Sequence, residues 1–401
     1  MTSEERHIAR RKRREEKRRA KRLAKLSKYD NFERITNRDA LARAAEAATH
    51  GVRYKDSVKR YMIHKLINIT RTSRKLEKQQ DICKGFICFT LMERGKLRRI
   101  MSVHFSERVV QKALNAEVLI PMLTNSLVYD NGASRRGMGT NHANKRLVKH
   151  LCKHYRRYGT KGYILLIDFT NYFGNINHEK AKEIVKEHFT DERIIWLFNR
   201  FVDSYYEHYL MEGKRAGTPL EEIEARGLGL GSEINQTVAI SYASKLDHYI
   251  REELKVGTSG RYMDDTYLIH ESKEYLQYCL SEIKRMCKEL DIVLNEKKTV
   301  IVKLTHGFTF LKTQYRISST GKIVRKPCRK AIVRERRKLK KQKILLDSGI
   351  MTFEQVRCSY ASWRGCMVKR DAHRTVSNMD RLFNNLFIRD WILSSHIQRR
   401  Q

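Results

Sequence analysis

The sequence predicts an α+β fold in which a small sheet carries acidic residues at its centre and long helical segments lie on either side. Three observations predict it. An apolar run, "GYILLIDF", begins near Tyr163 and ends on Asp168. A second strand-like run, "RYMDDTYLI", sets Asp264 and Asp265 side by side among Tyr262, Met263, Thr266, Tyr267, Leu268 and Ile269. The order strand, helix, helix, strand-hairpin, helix, strand is that of a split βαβ, ferredoxin-like unit.

The elements follow in order. Residues 1–30 hold 13 Lys/Arg and little that could build a core, with Glu15 and Glu16 at helical spacing among them. A solvated helix is one reading, and an arm that orders on nucleic acid is the favoured one. "NRDALARAAEAATHGV" opens on an Asn cap, and "YKDSVKRYMIHKLINITRT" is amphipathic, so residues from about 31 to 80 read as helical. "FICFTLMERGKLRRIM" reads as a hairpin turning at Glu93-Arg94-Gly95-Lys96, and "FSERVVQKALNAEVLIPML" as a helix. After the strand at Tyr163, a helical region is expected from His178 to about Glu207. A loop with Gly227, Gly229 and Gly231 then opens the helix "INQTVAISYASKLDHYIREEL". Beyond the second acidic strand come a helix over Lys273–Leu290, a short strand in "IVLNEKKTVIVKL" and a hairpin, "FTFLKTQYRISSTGKIVRK". From Pro327 onward the chain is helical and basic, with twelve Lys/Arg and one acid over residues 322–343.

Charge narrows the function. Lys and Arg total 83 against 45 acidic residues in 401, a formal net charge of +38. A field of that size implies a polyanionic partner, most plausibly nucleic acid. An anionic membrane fits less well, because the basic residues run along the whole chain rather than beside an apolar anchor. No apolar run is long enough to cross a bilayer, and no apolar core follows the basic N-terminus as in a secretory signal. The eight cysteines are scattered. His150, Cys152 and His154 alternate without a second Cys/His pair at zinc spacing, so reduced thiols in a cytosolic protein are expected rather than a zinc site.

Adjacent carboxylates inside a strand are costly unless something neutralises them. If the strand ending at Asp168 lies beside the one carrying Asp264 and Asp265, three carboxylates converge, and their joint ionisation requires cations. Mg²⁺ is the natural partner, since it takes oxygen ligands and keeps positions open for water and phosphate. Two such ions about 3.5–4 Å apart would clamp an attacking hydroxyl and the phosphate it attacks.

The chain resembles prokaryotic reverse transcriptases of the lineage related to group II introns, over roughly residues 90–370. The motifs that carry the resemblance fall in family order: "GKLRRIMSVHFSERVVQKAL" and "NGASRRGMGTNHANKRL" resemble the fingers segments, "LLIDFTNYFGNINHEK" motif A, "GLGLGSEINQ" motif B, "RYMDDTYLI" motif C, "LNEKKT" motif D, "FTFLKTQY" motif E and "SWRGCMVKRDAHRT" part of the thumb. The resemblance implies a right-hand polymerase: a basic N-terminal arm and helix at 1–50, fingers at 51–162, a palm at 163–310, and a motif E hairpin with a basic helical thumb at 311–401.

It also implies roles. Asp168 and Asp264 match the ligands of two Mg²⁺ ions, for which Mn²⁺ can substitute. Asp265 supports the site, and Phe169 lends its backbone. Phe173 would sit beneath the sugar of the incoming nucleotide, or else serve as core packing. Arg98 and Arg99 match the triphosphate-binding arginines, and Gln236 would contact nucleotide or template. Gly231, Ser232 and Asn235 would line the template and primer, with Asn235 where diversity-generating retroelement enzymes carry Ser. A helix N-terminus capped by Ser232 is an alternative for the same stretch. Lys297 or Lys298 would donate a proton to pyrophosphate, Lys298 being preferred.

The expected partners are a noncoding RNA template, its cDNA product and dNTPs, without a membrane. An accessory protein or a second copy could join them in a prokaryotic cytoplasm. The resemblance is greatest to defence-associated and diversity-generating enzymes. The two functions that follow are copying of a dedicated RNA in antiphage defence and mutagenic copying of a template repeat. A third reading, of another class, is a non-catalytic RNA-binding scaffold.

Overall fold

The computed structural model describes residues 9, 12, 13, 16, 17, 20, 23–93 and 95–398. The basic arm expected over residues 1–28 lies for the most part outside them. The chain divides into two compact units. One comprises Met1–Gly139, Ile167–Thr266 and Cys279–Thr299, and the other Thr140–Leu166, Tyr267–Tyr278 and Val300–Gln401.

Helices α1 (Glu33–Thr36), α2 (Arg38–Ala48), α3 (Asp56–Ile63) and α4 (Lys65–Glu77) come first. The Asn37 side chain accepts the amides of Asp39 and Ala40, so α2 begins on the Asn cap visible in the sequence. Strands β1 (Phe86–Glu93) and β2 (Lys96–Val103) form the expected hairpin, with Phe86 opposite Val103 and Glu93 opposite Lys96. Helix α5 (Phe105–Leu114) runs through a π-turn at Asn115–Leu119 into α6 (Ile120–Leu123). The π-turn has a local cause. Pro121 has no amide to give the Glu117 carbonyl, and Arg34 Nε donates to that carbonyl instead, at 3.3 Å.

Next come α7 (Thr140–Tyr158), β3 (Tyr163–Asp168), α8 (His178–His188) and α9 (Glu192–Ala216). The single helical region expected from His178 is therefore two helices, and the second runs past Glu207. The break lies where Asp191 turns its carboxylate onto the Arg193 amide to start α9. Helices α10 (Glu233–Tyr242) and α11 (Ser244–Glu252) likewise divide at Ala243 what reads as one helix. Strands β4 (Ser259–Tyr262) and β5 (Asp265–His270), helix α12 (Lys273–Glu289) and strand β6 (Val300–Lys303) follow. The strand expected over "IVLNEKKTVIVKL" shrinks to β6, because Asn295–Thr299 folds into a turn closed by the Lys298 and Thr299 amides on the Asn295 carbonyl. One sheet has the order β4-β5-β3-β6, so the two acidic strands are neighbours at its centre.

In the first unit α2 packs on α4 and α5. Leu41, Leu76, Val109 and Leu114 are fully buried there, each worth about 1.5–3 kcal/mol relative to exposure. In the second unit β7 (Phe308–Phe310), β8 (Thr313–Ile317) and β9 (Ile323–Pro327) form an antiparallel sheet rather than a plain hairpin. Helices α13 (Arg329–Asp347), α14 (Phe353–Val368) and α15 (His373–Gln398) surround Leu339, Val356, Tyr360, Met379 and Phe387. Thr352 and Gln355 form a capping box at the start of α14. Among the described residues no helix is long and apolar enough to cross a membrane.

Glu107, in the first turn of α5, is a buried acid without an ion pair among the described residues. Its carboxylate accepts the Lys84 amide at 3.2 Å and the Gln111 side chain at 3.0 Å. Gln111 in turn accepts the Ser232 hydroxyl at 2.6 Å. Burial pushes the Glu107 carboxyl up to about 7. The folded protein therefore holds a proton there that the unfolded chain releases near pH 4.5, and stability is lost as pH rises from about 4.5 to about 7. Glu107→Gln should flatten that slope and stabilise the protein at pH 8 by on the order of 3 kcal/mol. Urea midpoints at pH 5 and pH 8 measure it, and an unchanged pH dependence would show that Glu107 is ionised in the fold.

Candidate active site

The carboxylates gather at the joined ends of β3 and β5. Asp168 closes β3, and Asp264 lies in the tight turn between β4 and β5, with Asp265 opening β5. The Phe169 amide donates to the Asp264 carbonyl at 3.3 Å, which brings the two acidic segments edge to edge. Burial raises the Asp264 pKa first, and the Asp168 charge adds to it, against the pull of Lys298 and Arg98. The Asp265 carboxyl is pushed up to about 7 by burial and then by Asp264 and Asp168. Neither of these two carboxylates makes an ion pair among the described residues. They carry uncompensated negative potential, and all their donors are hard oxygens, so the group fits divalent cations such as Mg²⁺.

The turn that presents Asp264 rests on a buried ion pair. Met263 is in the left-handed region at φ 56°, a conformation costing a non-glycine residue about 1–2 kcal/mol. Beneath it, Arg261 is 1% exposed and Asp247 5% exposed. Arg261 Nε donates to both Asp247 oxygens at 2.8 and 3.0 Å, and Nη2 donates to Oδ2 at 2.8 Å. Its other bonds go to the Ile240 carbonyl at 2.7 Å and the Met263 carbonyl at 3.1 Å. The Met263 carbonyl belongs to the peptide that leads into Asp264, so the guanidinium sets the plane from which that carboxylate projects. Asn131 Nδ2 approaches Asp247 and the Ile240 carbonyl at 3.4 Å each. Sequence reading missed Arg261 and Asp247. The available signal was an arginine three residues before Asp264, in the strand that leads into the acidic turn.

Lys298 reaches the site from the turn after α12. The Asn295 amide donates to the Asp168 carbonyl at 2.8 Å, and the Thr170 amide to Val293 at 2.7 Å. This short pairing brings the turn over the end of β3. Lys298 Nζ lies 2.8 and 2.9 Å from the Asp168 oxygens, which raises its pKa. Lys297 is exposed and makes no such contact.

Past Asp168 the chain enters a 3₁₀ turn at Tyr172–Asn175. Tyr172 is buried, and its hydroxyl donates to the Ala239 carbonyl at 2.6 Å. Phe173 stays partly exposed, and its carbonyl accepts the Leu228 amide at 2.9 Å. Tyr172 thus takes the core position that was an alternative for Phe173. The glycine loop is seated on β2: the Met101 amide donates to the Leu230 carbonyl at 2.9 Å. A Cβ at Gly231, where φ is 139°, would come within 2.8 Å of the Met101 carbonyl oxygen.

At the start of α10, Ser232 occupies the cap position without capping, because its hydroxyl is committed to Gln111. Asn235 is buried and donates to the Tyr205 hydroxyl at 2.8 Å and the Gly229 carbonyl at 2.7 Å. Gly231 and Gln236 are exposed, and Gln236 accepts the Ser134 hydroxyl at 3.3 Å.

The two hairpin arginines part company, since neighbours on a strand face opposite ways. Arg98 pairs with Glu93 at 2.7 Å and contributes positive potential at Asp264. Arg99 bonds to Glu212 and lies 3.5 Å from His208 Nε2 and 3.7 Å from Cys88 Sγ. Cys88, His208 and Glu212 bring their ligand atoms within 4.8 Å of one another. Their separation in sequence hid this cluster, and the Arg99 guanidinium supplies its positive charge.

Breaking a buried pair leaves an uncompensated charge, whereas replacing both partners does not. Arg261→Met alone should cost about 3–5 kcal/mol, and Arg261→Met with Asp247→Leu should recover most of the loss. Equilibrium unfolding in urea separates the cases: equal losses would mean that the arginine acts through packing rather than charge.

A family model described as reverse transcriptase (RNA-dependent DNA polymerase) matches residues 78–319, more than half of the chain. No curated protein matches. Solved structures similar to this one include apo telomerase from Candida tropicalis truncated from its C-terminal domain, at 12% identity and TM-score 0.43 over 65% of this chain and 60% of that chain. Telomerase from Candida albicans in complex with a TWJ fragment of telomeric RNA matches at 10% identity and TM-score 0.43, covering 62% of this chain and 47% of that one. Apo telomerase from Candida tropicalis matches at 14% and 0.40, covering 60% and 47%. The matched part spans from about half to three fifths of those chains. With its mixed helix-and-sheet architecture and a family match that takes in Asp168, Asp264 and Asp265, the chain belongs to the reverse transcriptase (RNA-dependent DNA polymerase) family.

Proposed function

We propose that the protein is an RNA-directed DNA polymerase that copies a dedicated noncoding RNA into cDNA. The observation that carries this reading is the meeting of Asp168, Asp264 and Asp265 at the ends of two neighbouring strands, with raised Asp264 and Asp265 pKa values that call for cations. Asp168, the Phe169 carbonyl, Asp264 and Asp265 are the groups that would hold two Mg²⁺ ions, with Mn²⁺ as substitute. When bound, such ions supply Lewis-acid activation of a 3′-hydroxyl and neutralise charge on the phosphate it attacks.

The remaining roles fall to the chain's own residues. Lys298 keeps its proton beside Asp168 and would pass it to departing pyrophosphate. Arg98, which adds positive potential at Asp264, would hold the triphosphate, while Arg99 on the opposite face stays with Glu212. Gln236 and Gly231 meet the nucleotide and template, while Ser232 and Asn235 hold the shape of the loop beneath them. Residues 51–162, 163–310 and 311–401 serve as fingers, palm and thumb. The biological setting we propose is antiphage defence in a bacterial cytoplasm. The likeness of the whole motif set to defence-associated enzymes supports it, as does Asn235 in place of the Ser of diversity-generating enzymes.

Asp168→Ala and Asp264→Ala should each reduce dNTP incorporation on a primed RNA template by at least about 1,000-fold while leaving thermal unfolding cooperative. In a phage plating assay both should abolish protection. Polymerisation that survives either change would end the catalytic assignment. Protection that survives in an inactive enzyme would end the defence role as cDNA synthesis and favour the RNA-binding scaffold.

Phe173 gives a second test. Its partly exposed ring, on a backbone tied to the glycine loop through the Leu228 amide, would oppose a 2′-hydroxyl. Phe173→Val should raise ribonucleotide use relative to dNTP by about 10-fold or more, read from single-turnover kcat/KM values. An unchanged ratio would leave Phe173 without a part in sugar choice.

A further inference from the structure

The first unit carries a cavity of about 550 Å³ bounded by α3, α4 and the start of α5. Its lining draws much of its charge from α3 and α4. Arg60 lies in the last turn of α3, His64 joins α3 to α4, and Arg71 and Lys75 follow on α4. On α4, Asn68, Arg71 and Lys75 are three and four residues apart, which keeps them on one helical face. Lys84 and His104 join the lining from the segments before β1 and after β2. Among the described residues, none of these six side chains has an ion pair or hydrogen bond. Two nearby lysines, Lys59 and Lys65, are paired with Asp56 and Glu46. Arg60, Arg71, Lys75 and Lys84 are four cations that line one hollow without an ion pair among the described residues.

Two further features suit an anion with sugars attached. Helix α5, ten residues long, starts at the cavity with no side chain capping it, so its first amides are free to donate. Asn68, Thr72 and Ser106 add neutral polar groups to the lining. Glu107 is the acid in the wall. Its carboxylate is turned onto the Lys84 amide and Gln111, and burial leaves it only partly ionised near neutral pH.

We infer that this cavity is a binding site for the phosphodiester backbone of single-stranded RNA, apart from the carboxylate site. Its volume accommodates one or two nucleotides. RNA is favoured over other polyanions by the +38 charge of the chain and by membership of a family that uses an RNA template. The inference rests on the RNA-binding half of the proposed function and not on its chemistry.

The test measures binding of a fluorescein-labelled 20-nucleotide single-stranded RNA by anisotropy, without dNTPs, across a range of salt. The variant Arg60→Gln/Arg71→Gln/Lys75→Gln is compared with Lys186→Gln/Lys245→Gln/Lys288→Gln, which removes as much charge from exposed positions elsewhere in the unit. The cavity variant should bind at least about 10-fold more weakly at 150 mM salt. Its slope of log K against log salt should be shallower by about 2, at roughly 0.7 per phosphate released. The control variant should change affinity by less than about 3-fold. Equal effects in the two variants, or none in the cavity variant, would overturn the site.

A free nucleotide offers the same phosphate chemistry, so binding of a fluorescent ATP analogue is measured on the same proteins. If the cavity variant loses the analogue and keeps the RNA, the occupant is a nucleotide and the RNA assignment fails. Because no nucleotide is incorporated in these assays, failure here leaves the proposed polymerase reaction standing.

Discussion

The candidate site depends on one buried contact, the Arg261 guanidinium locked to Asp247 beneath the turn between β4 and β5. That turn must do two unfavourable things. It holds Met263 left-handed, and it points Asp264 toward two other carboxylates. A fork of N–H donors is suited to this, because one planar group can satisfy a carboxylate and two carbonyls at once. The pair also ties the turn to α10 through the Ile240 carbonyl and to α11 through Asp247. The glycine loop at the start of α10 and the acidic turn are therefore anchored to the same helix.

Charge is distributed by the same logic. The protein gathers three carboxylates and, among the described residues, sets one ammonium, Lys298, in direct contact with Asp168. The surrounding excess of Lys and Arg raises the general potential, but desolvation at Asp264 and Asp265 outweighs it, and both pKa values rise. Local burial decides over distant charge because exposed cations are screened within about 8–10 Å while a buried carboxylate is not. A site that is hard to ionise alone is one prepared for divalent cations. On the far side of the hairpin, Arg99 meets Glu212, His208 and Cys88, so two adjacent arginines serve different surroundings.

Much of this was legible in the chain. The apolar run ending at Asp168 and the paired aspartates in a β-rich segment predict strands by composition and period alone. The Asn37 cap and the β1–β2 hairpin follow from residues a few positions apart. Other features were not legible. Phe189 to Asp191 breaks a helix that periodicity carries straight through, because the Asp191 carboxylate is worth more on the next helix's amides than another helical turn. Ser232 looks like a helix cap, yet its hydroxyl goes to Gln111, more than a hundred residues away in sequence. Between Phe173 and Tyr172, only the position of the Ala239 carbonyl decides which ring is core.

By itself the sequence determined where helices and strands begin to alternate, the identity and order of the acidic motifs, and the strongly positive field, since these rest on local propensity, side-chain period and summed charge. Tertiary structure alone decided that β3 and β5 are neighbours, that Lys298 rather than Lys297 meets Asp168, and that Arg98 and Arg99 diverge. It also decided that Arg261 clamps Asp247 and that Arg60, Arg71, Lys75 and Lys84 share one hollow. Each of these depends on which segments far apart in the chain are brought within hydrogen-bonding or Coulombic range, and no local pattern encodes that distance.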